Sequence, residues 1–393
     1  MKDGATTAGA SRRSRLFRIL AILSVLALVL AACGGDGTAD DDTTTTAAIG
    51  DGDVTTTTAA SGDGDVTTTT AAASGDGEVM LPAPELTTIR FGISALEFHS
   101  FPLHYAGVTG ILAKYGITEL EETYTEGVSV AIQALAGDRL DVQAGTGSSV
   151  ISSLTTDTPF LTIGTTLSKL TDGLFGGEGI TSMEDLRGQS IAISDFGGES
   201  HAVVVSALQS AGMTPQDAEI VQIGGQSDRI AAVLGGSVAA APIDIARRVQ
   251  MEEEGMTLLV NLAETDQQLP RGGLNVTREW AETNPNTALI LVAAVMEAIQ
   301  LMIEDPEAAA AEHLIWAEGE DIEDSRNELE TYLQFVNEDL VIGEDPWLTM
   351  QETLAVTNPA VIDVDVSEAY STRFIEQLDE LGFLEQFGIT IEE

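Results

Sequence analysis

The sequence predicts an α/β protein of two half-similar lobes, each a mostly parallel sheet flanked by helices, with a helical C-terminal extension. Three observations carry this reading. From Leu86 onward, short apolar runs alternate with amphipathic stretches of helical length, the pattern of βαβ units. "LAGDRLDV" (135–142) and "LGGSVAAA" (234–241) repeat one order of events, helix end, glycine turn and strand, in two successive series. From residue 284 the strands stop and long helical patterns take over.

Two segments precede the lobes. Arg12, Arg13, Arg15 and Arg18 stand before an apolar run over 19–32 that ends in Leu30-Ala31-Ala32-Cys33-Gly34. A basic flank, a short apolar stretch and small residues describe a secretory signal over 1–33, shorter than the about 20 residues of a membrane span. Leu-Ala-Ala-Cys is similar to a bacterial lipobox, so Cys33 is the expected lipidation site. Acyl chains there would hold the protein at the outer face of the cytoplasmic membrane, at about 0.8 kcal/mol per buried methylene. Residues 34–85 read as a disordered stalk: "TTTT" recurs at 43, 55 and 67, separated by Asp-Gly runs that lack calcium-loop spacing.

The folded part reads in order. The first lobe is placed at 86–170, the second at 171–261, and the return to the first lobe with the C-terminal helices at 262–393. "TIRFGIS" (88–94) is a strand, and Pro102 opens a helix that ends near Gly116. A helix over 130–137 leads to strand 140–145, and a short helix over 149–154 to strand 160–166. Ser182 and Asp185 have capping-box spacing. Strand 190–194, helix 201–212, a Thr214-Pro215 cap, strand 219–223, helix 228–236 and strand 238–243 complete the second series. Asn284-Pro285 opens a long apolar helix to 304, which carries Glu297 and Gln300 and so reads as a core helix. Asp305-Pro306 starts another helix, and further helical stretches fall near 325–336, 346–356 and 367–381.

Composition excludes several roles. Seventeen basic against 63 acidic residues, a formal net charge of −46, exclude non-specific binding to nucleic acid or to an anionic membrane surface. One cysteine excludes an internal disulfide. The sequence contains no phosphate loop, so it does not power transport itself.

"FPLHYAGVTGILAKYGI", "ALAGDRLDVQAG", "ITSMEDLRGQSIAIS", "LQSAGMTPQDAEIVQIG" and "NPNTALILVAAVMEAIQLMIEDPEAAA" follow one another over roughly 88–310. In this order they resemble the solute-binding proteins of nitrate/sulfonate/taurine-type ABC importers, a family that includes binders of thiamin pyrimidine precursors. The resemblance implies a type II periplasmic-binding-protein-like fold, a monomer that captures a small molecule between its lobes, and delivery to a permease driven by a separate ATPase. It implies no cofactor, no metal and no catalytic residue. Two departures stand out. Gly236-Ser237-Val238-Ala239-Ala240 replaces the frequent Gly-x-Val-Asp-Ala, and the cysteine-rich motif of the thiamin-pyrimidine synthase branch is absent. An enzyme of that branch and a ligand sensor on the same fold are the alternative readings.

In open α/β lobes, ligands bind beyond the carboxyl ends of strands, in loops that lead into helix N-termini. The loops to inspect are 94–102, 145–149, 165–169, 195–201, 224–229 and 242–244. The first contains "EFHSFPLHY" (97–105), which gathers two of the four histidines. His99 and His104 are five apart, and no cysteine helps them toward a metal site. Ser94, Phe98, His99, Phe101 and His104 therefore read as a pocket wall that favours a planar heterocycle. Thr146, Ser148 and Ser149 on one lobe, and Gly198, Ser200 and His201 on the other, present backbone N–H groups and hydroxyls. Lys169 and Arg229 favour an anion such as a sulfonate, and Asp244 closes the list of expected ligand contacts. The sequence does not choose between the two ligand classes. Hinges are expected over 167–173 and 260–271.

Overall fold

The structure, a computed structural model, describes residues 79–391 apart from 94–95, 126–127 and 266. The signal segment, Cys33, most of the stalk, and Ser94 lie outside the described residues. Among the described residues, ten strands form two five-stranded sheets. The first holds β1 (Thr88–Ile93), β2 (Glu119–Tyr124), β3 (Val142–Gly145) and β4 (Phe160–Leu167). The second holds β5 (Asp172–Gly176), β6 (Ser190–Ile193), β7 (Glu219–Gln222), β8 (Ala240–Asp244) and β9 (Thr257–Asn261), after which β10 (Arg271–Thr277) returns to the first. The orders β2-β1-β3-β10-β4 and β7-β6-β8-β5-β9 match position by position. The sequence echo falls on β3 and β8, the same place in the two lobes.

The fold is the two-lobed one read from the sequence, but the sheets are mixed rather than mostly parallel. In each, one strand runs against its neighbours: β10 against β3 and β4, and β5 against β8 and β9. The reason is the route of the chain. These two strands enter their sheets from the other lobe, at the edge where the parallel strands end. Asp172, first in β5, faces Asp244, last in β8, and Arg271, first in β10, faces Leu167, last in β4. A strand that starts there has to run backwards.

Helices flank the sheets: α1 (Phe101–Val108), α2 (Ile111–Lys114), α3 (Val128–Ala136) and α4 (Gly147–Ser153) in the first lobe, and α5 (Glu199–Ser210), α6 (Gln226–Leu234) and α7 (Arg248–Glu253) in the second. The helix expected to run to Gly116 breaks at Gly110, whose φ of +82° is left-handed. After β10 come α8 (Arg278–Thr283), α9 (Pro285–Glu304), α10 (Pro306–Trp316), α11 (Ile322–Phe335), α12 (Glu344–Ala355) and α13 (Arg373–Glu380). Helix α9 is long and apolar enough to cross a membrane, but 72% of its apolar window is buried inside the protein, where it forms the centre of the first-lobe core. Its N-terminus is capped from a distance: the Glu85 carboxylate accepts the backbone N–H groups of Asn286 (3.1 Å) and Thr287 (2.7 Å). The capping boxes form as their spacing implies, with Ser182 N–H donating to Asp185 (2.9 Å) and Thr214 N–H to Asp217 (2.8 Å).

One difference between the lobes explains the departure at Ala239. In the first lobe Arg90 grips Asp141 (2.7 and 2.9 Å), and Trp280 Nε1 donates to the same carboxylate (3.1 Å). The equivalent second-lobe positions, one before Ile191 and one before Ala240, are Ser190 and Ala239. Both members of the pair are gone together, so no charge is left without a partner.

Candidate functional site

The two crossing strands begin at equivalent places and with opposite charges. Arg271 Nη2 lies 3.6 Å from Asp172 Oδ2. Around the same guanidinium the fold brings Glu97, from the loop between β1 and α1, whose Oε2 accepts from Nη2 at 2.8 Å. The matching loop of the second lobe supplies Glu199, first residue of α5, which pairs with Nε. Thr171 accepts from Nη1, and Asp244 Oδ2 stands 3.9 Å from Nη2. Four carboxylates thus surround one guanidinium that is 2% exposed. A second buried guanidinium, Arg229, donates to backbone carbonyls, Pro242 O (3.1 and 3.4 Å) and Gly224 O (3.0 Å). At the rim Arg247 pairs with Glu328 of α11 at 3.3 Å.

Burial and crowding set the charge states. Burial pushes Asp172 up to about 7; Arg271 opposes this, while Glu199 and Glu97 reinforce it. Burial and Glu97 likewise raise Asp244, against Arg271. Glu328 is pushed up to about 7 by burial, which the nearby Arg247 only partly offsets. Glu97 goes the other way: burial would raise it, but the His99 hydrogen bond and the Arg271 charge outweigh burial and hold it low. Burial would lower Arg271, but Glu199, Asp172, Glu97 and Asp244 keep it firmly charged. The result is an acid-rich junction in which some carboxyls keep their protons near neutrality.

A cavity of about 20 Å³, room for a water or two, adjoins the cluster and is bordered by Glu97, Phe98, His99, Asp244, Glu328 and Tyr332. The two lobes meet across this cluster and leave no larger space beside it.

The residues singled out in the sequence fall in different places. "EFHSFPLHY" divides. His99 faces the junction with Nδ1 3.3 Å from Glu97 Oε2, and Phe98 borders the cavity while stacking on His313 at 3.8 Å. Phe101 is wholly buried in the first-lobe core. His104 points away from the junction, with Nδ1 2.9 Å from Glu122 and Nε2 3.5 Å from Glu312. Thr146, Ser148 and Ser149 bond one another: Thr146 Oγ1 and Ser148 Oγ are 2.6 Å apart, and Ser149 Oγ donates to Thr146 O at 2.7 Å. The return segment covers them, since Gly147 N–H donates to Pro270 O (3.0 Å). Lys169 ties the two crossings together by donating to Ala263 O (3.4 Å) and Thr265 O (3.0 Å). Gly198 is packed so closely that a Cβ would lie 2.1 Å from Asp195 Oδ1. Ser200 Oγ accepts from Ser194 N–H at 2.8 Å. His201 Nδ1 accepts from Gly197 N–H at 3.0 Å, so its hydrogen sits on Nε2, a buried atom with no hydrogen-bond partner among the described residues. Burial lowers its pKa, and the ring is neutral. His99, Arg229 and Asp244 are therefore brought together with Phe98 beside them. The residues that dominate the junction, Glu97, Asp172, Glu199 and Arg271, are not among those singled out. A base in "LPRGGLNV", alone in a long acidic stretch at an expected hinge, was the signal for Arg271.

The geometry can now be set beside known proteins. Over 309 residues the chain is 26% identical to the riboflavin-binding protein RibY of Chloroflexus aurantiacus, covering 74% of this chain and 87% of that protein. The periplasmic nitrate-binding protein NrtA of Synechocystis PCC 6803 superposes with a TM-score of 0.60 at 17% identity, over 79% of this chain and 91% of NrtA. The periplasmic aliphatic sulphonate binding protein SsuA of Escherichia coli gives 0.56 at 17% identity, over 72% and 91%. At such identities the structures establish a shared fold, that of the periplasmic binding proteins. A family model described as NMT1/THI5 like matches residues 105–309, more than half of the sequence, and the chain belongs to this NMT1/THI5-like family.

Proposed function

We propose that this protein is an extracytoplasmic solute-binding protein, held at the membrane by lipid on Cys33. In this reading it encloses an uncharged planar heterocycle between its lobes and delivers it to an ABC permease driven by a separate ATPase. The observation that carries the ligand class is the acid-rich junction where the crossing strands meet. Glu97, Asp172, Glu199, Asp244 and Glu328 outnumber Arg271, Arg229 and Arg247 there, which disfavours nitrate or a sulfonate and suits a ligand rich in N–H and O–H donors. Phe98, His99 and Tyr332 supply ring surface at its edge. The similarity to RibY, a riboflavin-binding protein, supports a flavin-like ligand. The crossing segments 168–171 and 262–270 serve as hinges, and ligand favours closure to the extent that it binds the closed form better.

Thermal melting of the full chain with riboflavin, an aminopyrimidine, ethanesulfonate and nitrate tests this. Riboflavin is expected to raise the melting temperature, because a ligand at about 100 times its Kd adds roughly 2.7 kcal/mol. A shift with ethanesulfonate or nitrate and none with either heterocycle would sink the reading.

A further inference from the structure

The bases at the centre of the junction, Arg271, Arg229 and Lys169, are already engaged by the protein. Arg271 is held by the protein on every side: Nη2 donates to Glu97, Nη1 donates to Thr171, and Nε forms an ion pair with Glu199. Arg229 spends its three nitrogens on Pro242 O and Gly224 O, and Lys169 donates to Ala263 O and Thr265 O. A buried guanidinium is the natural fork for a planar or tetrahedral anion, because its paired N–H groups match two oxygens at once. Here that fork is filled by carboxylates from both lobes before any ligand arrives. Beside this held guanidinium there is an unmet acceptor. Asp172 Oδ2 is buried and accepts no hydrogen bond. It calls for a donor, and a ligand anion there would meet the Glu97 and Glu199 carboxylates in a poorly screened place.

We propose that Glu97 and Glu199 are specificity-determining residues. By holding Arg271 from the two lobes they deny it to anions, so the cleft takes the uncharged form of its ligand and rejects the phosphate ester of the same molecule. The pairing works by symmetry of place: each glutamate comes from the loop that follows the second strand of its sheet order, β1 in one lobe and β6 in the other. The proposal rests on the ligand reading above for its heterocycle, but its anion arm can be read without one.

The experiment compares the full wild-type chain with Glu199→Gln and with Glu97→Gln/Glu199→Gln, both isosteric and both checked for folding by circular dichroism. Riboflavin and riboflavin 5′-phosphate are titrated by the quenching of their own fluorescence; sulfate and ethanesulfonate are titrated by thermal shift. Wild type is expected to bind the phosphate ester at least about 100-fold more weakly than riboflavin, and the double variant to narrow that gap about tenfold or more. Sulfate is expected to leave wild-type melting unchanged and to raise that of the double variant. Two charges out of a net −46 leave the long-range field in place, so such a gain is local. Equal wild-type affinity for both flavins, a wild-type shift with sulfate, or a folded double variant with an unchanged preference would each overturn the proposal. If the wild type binds neither flavin, the ligand reading fails; a sulfate shift confined to the variants would still support the role of the glutamates. Should the double variant not fold, Glu199→Gln alone carries the same comparison.

Discussion

Asp172 sets how the junction responds to pH. Its carboxyl is buried at the start of a crossing strand and pushed up to about 7, from an ordinary value of 3.8, so the folded protein holds a proton there that the unfolded chain releases. A carboxyl raised by folding contributes stability that is complete below about pH 4 and is lost as pH climbs through about 7. Asp172→Asn mimics the protonated form. The variant is expected to lose less stability than wild type between pH 5 and 8, and to exceed wild type at pH 8 by about 1–3 kcal/mol, Arg271's attraction for the charged form limiting the gain. Urea unfolding at the two pH values measures this, and parallel pH profiles would show that Asp172 does not titrate across the window. At this scale the sequence was informative where chemistry is local and silent where it is not. His99 and Asp244 were legible because each closes a strand-to-helix loop. Glu97, Asp172, Glu199 and Arg271 are separated by up to 174 positions, and only the meeting of two lobes makes them one cluster. Phe101 and His104 share a short motif with His99, but both lie on one face of α1, their rings 5.5 Å apart, and that face packs away from the junction.

Strand β10 shows the same logic at the level of an element. It must leave the junction with Arg271 aimed inward and then join β3 and β4, and "RGG" makes the turn. Gly272 has φ of +67°, and a Cβ there would lie 2.0 Å from Thr166 Oγ1 and 3.1 Å from His99 O. Gly272→Ala is expected to cost about 2–4 kcal/mol, combining left-handed strain with a clash against the Thr166 hydroxyl and a tight approach to His99 O, and to weaken ligand binding by displacing Arg271. Denaturant titration with ligand melts would check both; a loss below about 0.5 kcal/mol would mean the turn relaxes freely. The helices with clear caps and strands β1, β3, β4, β6, β7 and β8 were readable from apolar spacing. Strand β2 was not, because "ELEETY" is an exposed edge strand with no buried face to force alternation. Strands β5, β9 and β10 were not assigned as strands, the expected hinges 167–173 and 260–271 covering only their ends, since β5 and β10 owe their pairing to a chain that has crossed between lobes. Helices α7 and α8 are six residues each, too short for a period to declare itself.

At the scale of the whole two-lobed body, the lobes are held together by more than two crossings. One apolar cluster includes Leu135, Val150 and Phe160 of the first lobe, Leu174, Ile191 and Val203 of the second, and Trp347, Met350 and Leu354 of α12. Helix α12 thus rests on α4 and α5 together, and Trp347 is its deepest point, fully buried, stacked on Tyr370 at 5.4 Å. A Cβ on Gly147 would lie 2.9 Å from the indole, so the first-lobe backbone closes directly over it. The cleft on the other side is charged and nearly filled, and its ion pairs repay little of their desolvation. Cohesion between the lobes therefore resides in the α12 cluster. Trp347→Ala removes the anchor and leaves a cavity, at an expected cost of about 3–5 kcal/mol, against less for Trp347→Phe, which keeps an aromatic ring in place. Because the lost contacts are those the lobes share, the alanine variant is expected to unfold in two calorimetric steps where wild type unfolds in one. A loss under about 1 kcal/mol with a single transition would instead place the coupling in the charged junction, where the Glu97→Gln/Glu199→Gln variant would then split the transition.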